Sequence, residues 1–195
     1  KCGLFEADEK TAAYYGIPLS EIDWIRIDDE AQYEKVLTYD VSTLEPQLSC
    51  PQGVDNVYPI SEVLGTPMDE VYIGSCTNGS LEDLKAAADI LRGKKVANHV
   101  RVIVVPATNT VFKEAIEKGY IKDFIEAGCV ISHPCCGLCC GMPYGLMYDD
   151  ERILLTANRN FIGRQGTKKT LGYLSSPAVA AATALTGVVT DPRTL

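Results

Sequence analysis

"VRVIVV", residues 100–105, is the run that sets the fold. It holds five aliphatic residues and one arginine, and Pro106 ends it. A strand apolar on both sides of the pleat is buried on both faces, which is the mark of a parallel sheet. Just upstream, "EVYIGS" (70–75) is a second β-rich run. "SLEDLKAAADILRG" (80–93) lies between the two and reads as a helix. Leu81, Leu84, Ala88 and Leu91 fall at helical spacing, Ser80 and Asp83 suit a capping box, and Gly93 suits a stop.

The alternation continues downstream. "TVFKEAIEKG" (110–119) and "IKDFIEAG" (121–128) read as helices, "CVIS" (129–132) and "RILLTA" (152–157) as strands. "SPAVAAATALTG" (176–187) reads as a last helix, with Pro177 in its first turn and Gly187 at its end. Strand alternating with helix predicts an α/β fold, a three-layer α/β/α arrangement on a mostly parallel sheet.

Upstream of residue 70 the pattern is less regular. Residues 6–15 have a helical pattern that Gly16-Ile17-Pro18 breaks. "IDWIRI" (22–27) and "EKVLTYDVS" (34–42) look strand-like. Residues 49–69 contain three prolines and two glycines without a clear period, which predicts an extended linker. The expected organisation is the end of a preceding α/β domain at 1–48, a linker at 49–69 and a main domain at 70–195. No internal repeat or low-complexity tract interrupts it.

In open α/β sheets, ligands gather beyond the carboxyl ends of the strands. The four segments that follow the expected strands are "SCTNGS" (75–80), "PATNT" (106–110), "HPCCGLCCG" (133–141) and "NRNFIGRQG" (158–166). All are polar or thiol-bearing. On parallel strands they share one edge, which brings Cys76 toward the 135–140 thiols despite the long separation in sequence. Soft thiolates suit an iron–sulfur cluster or zinc. Cys136 and Cys139 form a CxxC pair, Gly137 lets the backbone turn tightly, and Cys76 is the candidate third ligand. Three protein ligands on a 4Fe–4S cube leave one iron open, as a Lewis acid requires. A zinc-stabilised or dithiol redox module remains the alternative. Cys135 and Cys140 flank the candidate ligands without an assigned role. Cys2, Cys50 and Cys129 read as structural.

Arg159 and Arg164 add anion chemistry, because guanidinium forks bind carboxylates bidentately. Asn78 and Asn158 can orient substrate oxygens or simply make turns. His133 reads as a support or surface residue, His99 as surface, and Trp24 and the tyrosines as packing.

Composition narrows the class. The 195 residues are 46% hydrophobic and 23% charged, typical of a globular chain. A net charge of −8 without a basic stripe speaks against nucleic acid and anionic membranes as partners. No apolar run reaches the length of a membrane span. CxxC spacing in a chain large enough to build a core suggests a reducing, cytoplasmic setting. There is no signal-peptide pattern, and the opening "KCGLFEADEKT" reads as an entry into a longer or processed sequence.

"IGSCTNGSLEDL", "CCGLCCGM" and "TANRNFIGRQG", followed by "SPAVAAATALTG", resemble the aconitase superfamily, on its isopropylmalate dehydratase and homoaconitase branch. "GLFEADEKT" and "NVYPISEVLGTPMDEVYIGSCTNG" extend the likeness over nearly the whole chain. The resemblance implies a 4Fe–4S cluster held by Cys76, Cys136 and Cys139. It implies that Asn158, Arg159 and Arg164 lie around the cluster and the substrate carboxylates. The implied activity is a hydro-lyase acting on a 2- or 3-hydroxy di- or tricarboxylate such as isopropylmalate, in leucine biosynthesis. Cys135 and Cys140 stand where the family often has a glycine and an aliphatic residue.

Family large subunits are about twice as long. The resemblance therefore implies two partners, the amino-terminal half of the large subunit and a small swivelling-domain subunit that brings a serine base. Without them the chain is expected to be inactive and to expose an apolar docking surface. Ser175 and Ser176 are not given the role of that base. A non-catalytic, RNA-regulating relative is a further alternative, against which the acidic charge argues.

Overall fold

The structure is a computed structural model that describes residues 3–142 and 144–195. Cys2 lies outside the described residues. The chain divides into two compact units, Lys1–Thr43 and Leu44–Leu195.

The larger unit is built on a seven-stranded sheet with the order β2-β1-β7-β6-β3-β4-β5. Its strands are β1 (Gln47–Ser49), β2 (Val57–Pro59), β3 (Glu70–Gly74), β4 (Arg101–Val105), β5 (Val130–Ile131), β6 (Arg152–Leu155) and β7 (Leu171–Leu174). The five strands from β3 to β7 pair in parallel, and β1 runs antiparallel to β2 and β7. Burial of β3 and β4 on both faces follows from their unbroken apolar runs. The exception is Glu70, which is fully buried at the start of β3.

One face of the sheet carries Val71, Ile73, Val102, Val104 and Leu154. Against it pack α4 (Leu81–Leu91), α5 (Asn109–Glu117), α6 (Tyr120–Ala127) and α7 (Pro177–Thr186). The expected caps form. Ser80 and Asp83 make a reciprocal capping box on α4, and Ser176 caps α7, whose end is a left-handed Gly187. The opposite face carries Tyr72, Ile103, Val105, Ile153 and Leu155. Leu138, Cys139, Met147 and Ala157 cover it, from the segment that crosses between β5 and β6 and from the end of β6. The third layer is thus irregular chain with a 3-10 turn at Gly137–Cys140 rather than a helix.

The stretch 49–69 differs from the linker expectation. It forms the β1–β2 hairpin and the short α2 (Ile60–Val63), and its Ile60 and Met68 are fully buried. Three-residue strands are too short to show a period, so the prolines dominated the reading. β7 is hidden because Gly172 in its interior breaks the apolar run.

In the smaller unit, α1 (Glu9–Tyr15) is capped by Asp8 and closed by a left-handed Gly16. "IDWIRI" and "EKVLTYDVS" do not form strands. A strand needs a neighbour to take its backbone groups, and among the described residues of this unit none is present.

Candidate functional site

Gly74, Val105, Ile131 and Leu155 end their strands at one edge of the sheet, in parallel register. The loops bearing Cys76, the 135–140 thiols and Asn158–Arg164 therefore leave the same edge.

The Cys76 corner is tightly built. A Cβ on Gly74 would sit 1.9 Å from the carbonyl oxygen of Val105, and Gly74 has φ +111°, so only glycine fits. Ser75 follows with φ +80°, a strained value for a residue with a side chain. It is fully buried, and its Oγ has no hydrogen-bond partner among the described residues. These residues open α3 (Ser75–Asn78), which leaves Cys76 exposed. The loop after β6 is stitched to this corner. Thr156 Oγ1 accepts from the Gly74 amide at 2.7 Å, the Asn78 side chain donates to the Thr156 carbonyl, and Asn158 Nδ2 donates to Thr77 Oγ1 at 2.7 Å.

The cysteine turn rests on β3. Tyr72 is fully buried, and its hydroxyl donates to the Cys136 carbonyl at 3.1 Å. A Cβ on Gly137 would stand 3.0 Å from that hydroxyl, and Gly137 has φ +46°, so glycine is required where the turn crosses the ring. Burial first, and then the surrounding thiols, hold the Tyr72 phenol protonated far above its ordinary range. The four thiols of the turn do not share one environment. Cys139 is 7% exposed and packs into the core, whereas Cys135, Cys136 and Cys140 are exposed. The Cys136 thiol is pushed up chiefly by charge on Cys140. Burial, a hydrogen bond with Cys140, and charge on Cys139 and Cys76 add to it.

Arg164 Nε donates to the Cys139 carbonyl at 2.7 Å, joining the arginine loop to the cysteine turn. Arg159 is exposed, with its guanidinium 5.9 Å from the Phe161 ring centre. Among the described residues neither arginine has an acidic partner, although the chain is strongly acidic.

Among the described residues, no three His, Cys, Asp or Glu side chains gather closely enough to hold one metal ion. A structural zinc needs such a group. A 4Fe–4S cube places each thiolate on a different iron, so its ligands stand further apart. Soft thiol donors are the chemistry such a cube takes. The candidate thiols stand on two loops of one edge, with Cys76 and Cys136 exposed and Cys139 turned toward the core, and the buried Ser75 hydroxyl beside Cys76 has no hydrogen-bond partner among the described residues.

The remaining candidates separate from the site. Cys50 and Cys129 are buried, and burial pushes the Cys129 thiol up to about 12. His133 is exposed and meets Phe112 edge-on, and His99 packs beside Gly187. Ser175 and Ser176 bond locally, Ser176 as a helix cap.

Sequence reasoning passed over the supports. Asn160, the second asparagine of "NRNF", is buried, and its Nδ2 donates to Ser49 Oγ and to the carbonyls of Cys50 and Gly172. Gln165 donates to the Arg159 carbonyl at 2.8 Å. Tyr72 and Thr156 hold the two thiol loops. The available signal was polarity inside otherwise apolar strands, at Tyr72 in "EVYIGS" and Thr156 in "RILLTA".

A family model described as "Aconitase family (aconitate hydratase)" matches residues 61–187. The chain is 48% identical to a probable 3-isopropylmalate dehydratase large subunit of Methanosarcina mazei, over 99% of this chain and 47% of that protein. It is 47% identical to a 3-isopropylmalate dehydratase large subunit of Nitratidesulfovibrio vulgaris, over 100% of this chain and 47% of that protein. It is 48% identical to a 3-isopropylmalate dehydratase large subunit 1 of Archaeoglobus fulgidus, over 99% of this chain and 46% of that protein. The chain thus spans about half the length of the curated relatives it matches.

Proposed function

The chain belongs to the aconitase family, and on that premise we propose that it is the cluster-bearing portion of a 4Fe–4S-dependent hydro-lyase. The substrate class is a hydroxy di- or tricarboxylate such as isopropylmalate. The observation that carries this reading is the shared edge. Two arginines that have no acidic partner among the described residues stand there beside two thiol loops that lock onto each other through Arg164, Asn158 and Thr156.

Cys76, Cys136 and Cys139 would hold the cluster, which supplies an open, Lewis-acidic iron for the substrate hydroxyl. The chain's own residues do the rest of the work proposed for it. Arg159 and Arg164 bind and orient the substrate carboxylates. Their fixed positive charge also stabilises negative charge that builds on a carboxylate when the neighbouring C–H proton leaves. Asn158 keeps the arginine loop in register with the Cys76 corner.

The base and the residues that handle the leaving hydroxyl are assigned to an amino-terminal half and a small subunit. Exposed apolar side chains around the cysteine and arginine loops, Met142, Tyr144, Leu146, Phe161 and Ile162, support a docking surface for them. A cytoplasmic setting goes with this reading. The test is dehydration of isopropylmalate, homocitrate and citrate by the cluster-loaded chain, alone and mixed with the two partners. Turnover is expected only in the mixture, and turnover by the chain alone would overturn the assignment.

A further inference from the structure

Two thiols of the cysteine turn, Cys135 and Cys140, are not used by the proposed cluster. The structure separates their surroundings. A cavity of about 500 Å³ opens on the outer side of the turn, lined by Cys135, Cys136, Gly137, Cys140, Met142 and Tyr144. Cys139, the CxxC partner of Cys136, does not line it and lies in the core below. Cys76 does not line it either.

Within that cavity Cys136 and Cys140 are the natural pair. Cys136 precedes the 3-10 turn and Cys140 ends it. The Cys140 side chain folds back over the turn, with its Sγ 3.6 Å from the carbonyl oxygen of Gly137, the residue that follows Cys136 in the chain. Cys135 also lines the cavity, but its Sγ is engaged with Ser132 Oγ at 3.8 Å. Both members of the pair are exposed, so a small oxidant reaches them.

We propose that Cys136 and Cys140 are a thiol–disulfide exchange site, which closes to an intramolecular disulfide when the chain carries no cluster. The oxidant is a low-molecular-weight disulfide such as oxidised glutathione. One thiolate attacks it and releases one glutathione thiol, leaving a mixed disulfide. The second thiolate then displaces the other glutathione. In sum, two protein thiols and one oxidised glutathione give one protein disulfide and two reduced glutathiones. The closed pair withholds Cys136 from iron and shields it from irreversible oxidation to sulfinic and sulfonic acids. The consequence for cluster loading rests on the function proposed above. The disulfide itself does not.

The experiment is thiol counting and intact mass on the reduced, cluster-free chain, before and after anaerobic treatment with oxidised glutathione. Two of the eight cysteine thiols should be lost without added glutathione mass, and dithiothreitol should restore them. Cys135→Ser, Cys139→Ser and Cys76→Ser should behave in the same way. Cys140→Ser should instead retain glutathione as a mixed disulfide. An unchanged two-thiol loss in Cys140→Ser, its disappearance in Cys139→Ser, or dimers linked between chains on a non-reducing gel would each overturn the proposal. Iron and sulfide loading of the oxidised chain should fail until it is reduced. If the reduced chain also takes no cluster, the functional reading fails while the thiol count still decides the disulfide.

Discussion

The Tyr72 hydroxyl, buried in the middle of β3, donates to the carbonyl of Cys136 at 3.1 Å. One strand of the sheet thereby holds the cysteine turn from beneath, while Cys76 leaves the end of the same strand. Tyr72→Phe keeps the ring and removes the only change of consequence, the donor. The Cys136 carbonyl then loses this partner and keeps the Cys139 amide at 3.0 Å, at a cost of about 0.5–1.5 kcal/mol. Urea unfolding should show that loss, and a cluster-loaded variant should release iron faster than the parent chain.

The two arginines should separate by what they touch. Arg164 supports the turn through the Cys139 carbonyl, whereas Arg159 has no hydrogen bond or ion pair from its side chain among the described residues. Arg159→Ala should leave stability within about 0.5 kcal/mol, and Arg164→Ala should cost about 1 kcal/mol. In the assembled enzyme each should lower kcat/KM by roughly 10- to 100-fold, the value of one charged hydrogen-bonded contact to a carboxylate.

Asn160 ties three segments together through one amide, reaching the end of β1, Cys50 and β7. Asn160→Ala leaves two buried carbonyls without these donors and should destabilise by about 2–4 kcal/mol. Thermal unfolding measures it, and circular dichroism should show the sheet retained at low temperature.

Glu70 gives a pH dependence away from the site. It is fully buried, one oxygen pairs with Arg101 Nε at 2.8 Å, and Oε1 has no partner among the described residues. Burial raises its pKa from 4.5 to about 7, against the lowering effect of Arg101. The folded state thus favours the protonated acid. The associated stability is full below about pH 4.5 and is lost as pH rises through about 7. Above that pH the ionised form costs about 3 kcal/mol. Glu70→Gln should therefore melt close to the parent chain at pH 4.5 and above it at pH 8. A constant difference across that range would contradict the assignment.

The sequence made the parallel core legible because β3, β4 and β6 are long apolar runs separated by capped helices. That pattern also placed the thiol and arginine loops on one edge. The β1–β2 hairpin stayed hidden because three residues cannot display a period, and β7 because Gly172 interrupts the apolar run that marks the equally short β6. The candidate ligands were legible as residue types, since clustered cysteines have few other uses. Their orientation was not. Cys139 turning inward and Cys140 folding back onto the Gly137 carbonyl belong to a turn built on the left-handed Gly137, with the Tyr72 ring beneath it. Asn160 carries no signal of its own within "NRNF", and only packing shows that its amide is spent on backbone carbonyls.

The central claim is that Cys76 and the cysteine turn hold one cluster. The most direct measurement is anaerobic reconstitution with iron and sulfide, followed by visible absorption and iron analysis, on the parent chain, Cys76→Ser and Cys140→Ser. The account predicts about four irons per chain with broad charge-transfer absorption in the parent and in Cys140→Ser, and loss of a stable complete cluster in Cys76→Ser. The same iron content and spectrum in Cys76→Ser, or stoichiometric zinc with no iron uptake in the parent, would contradict it.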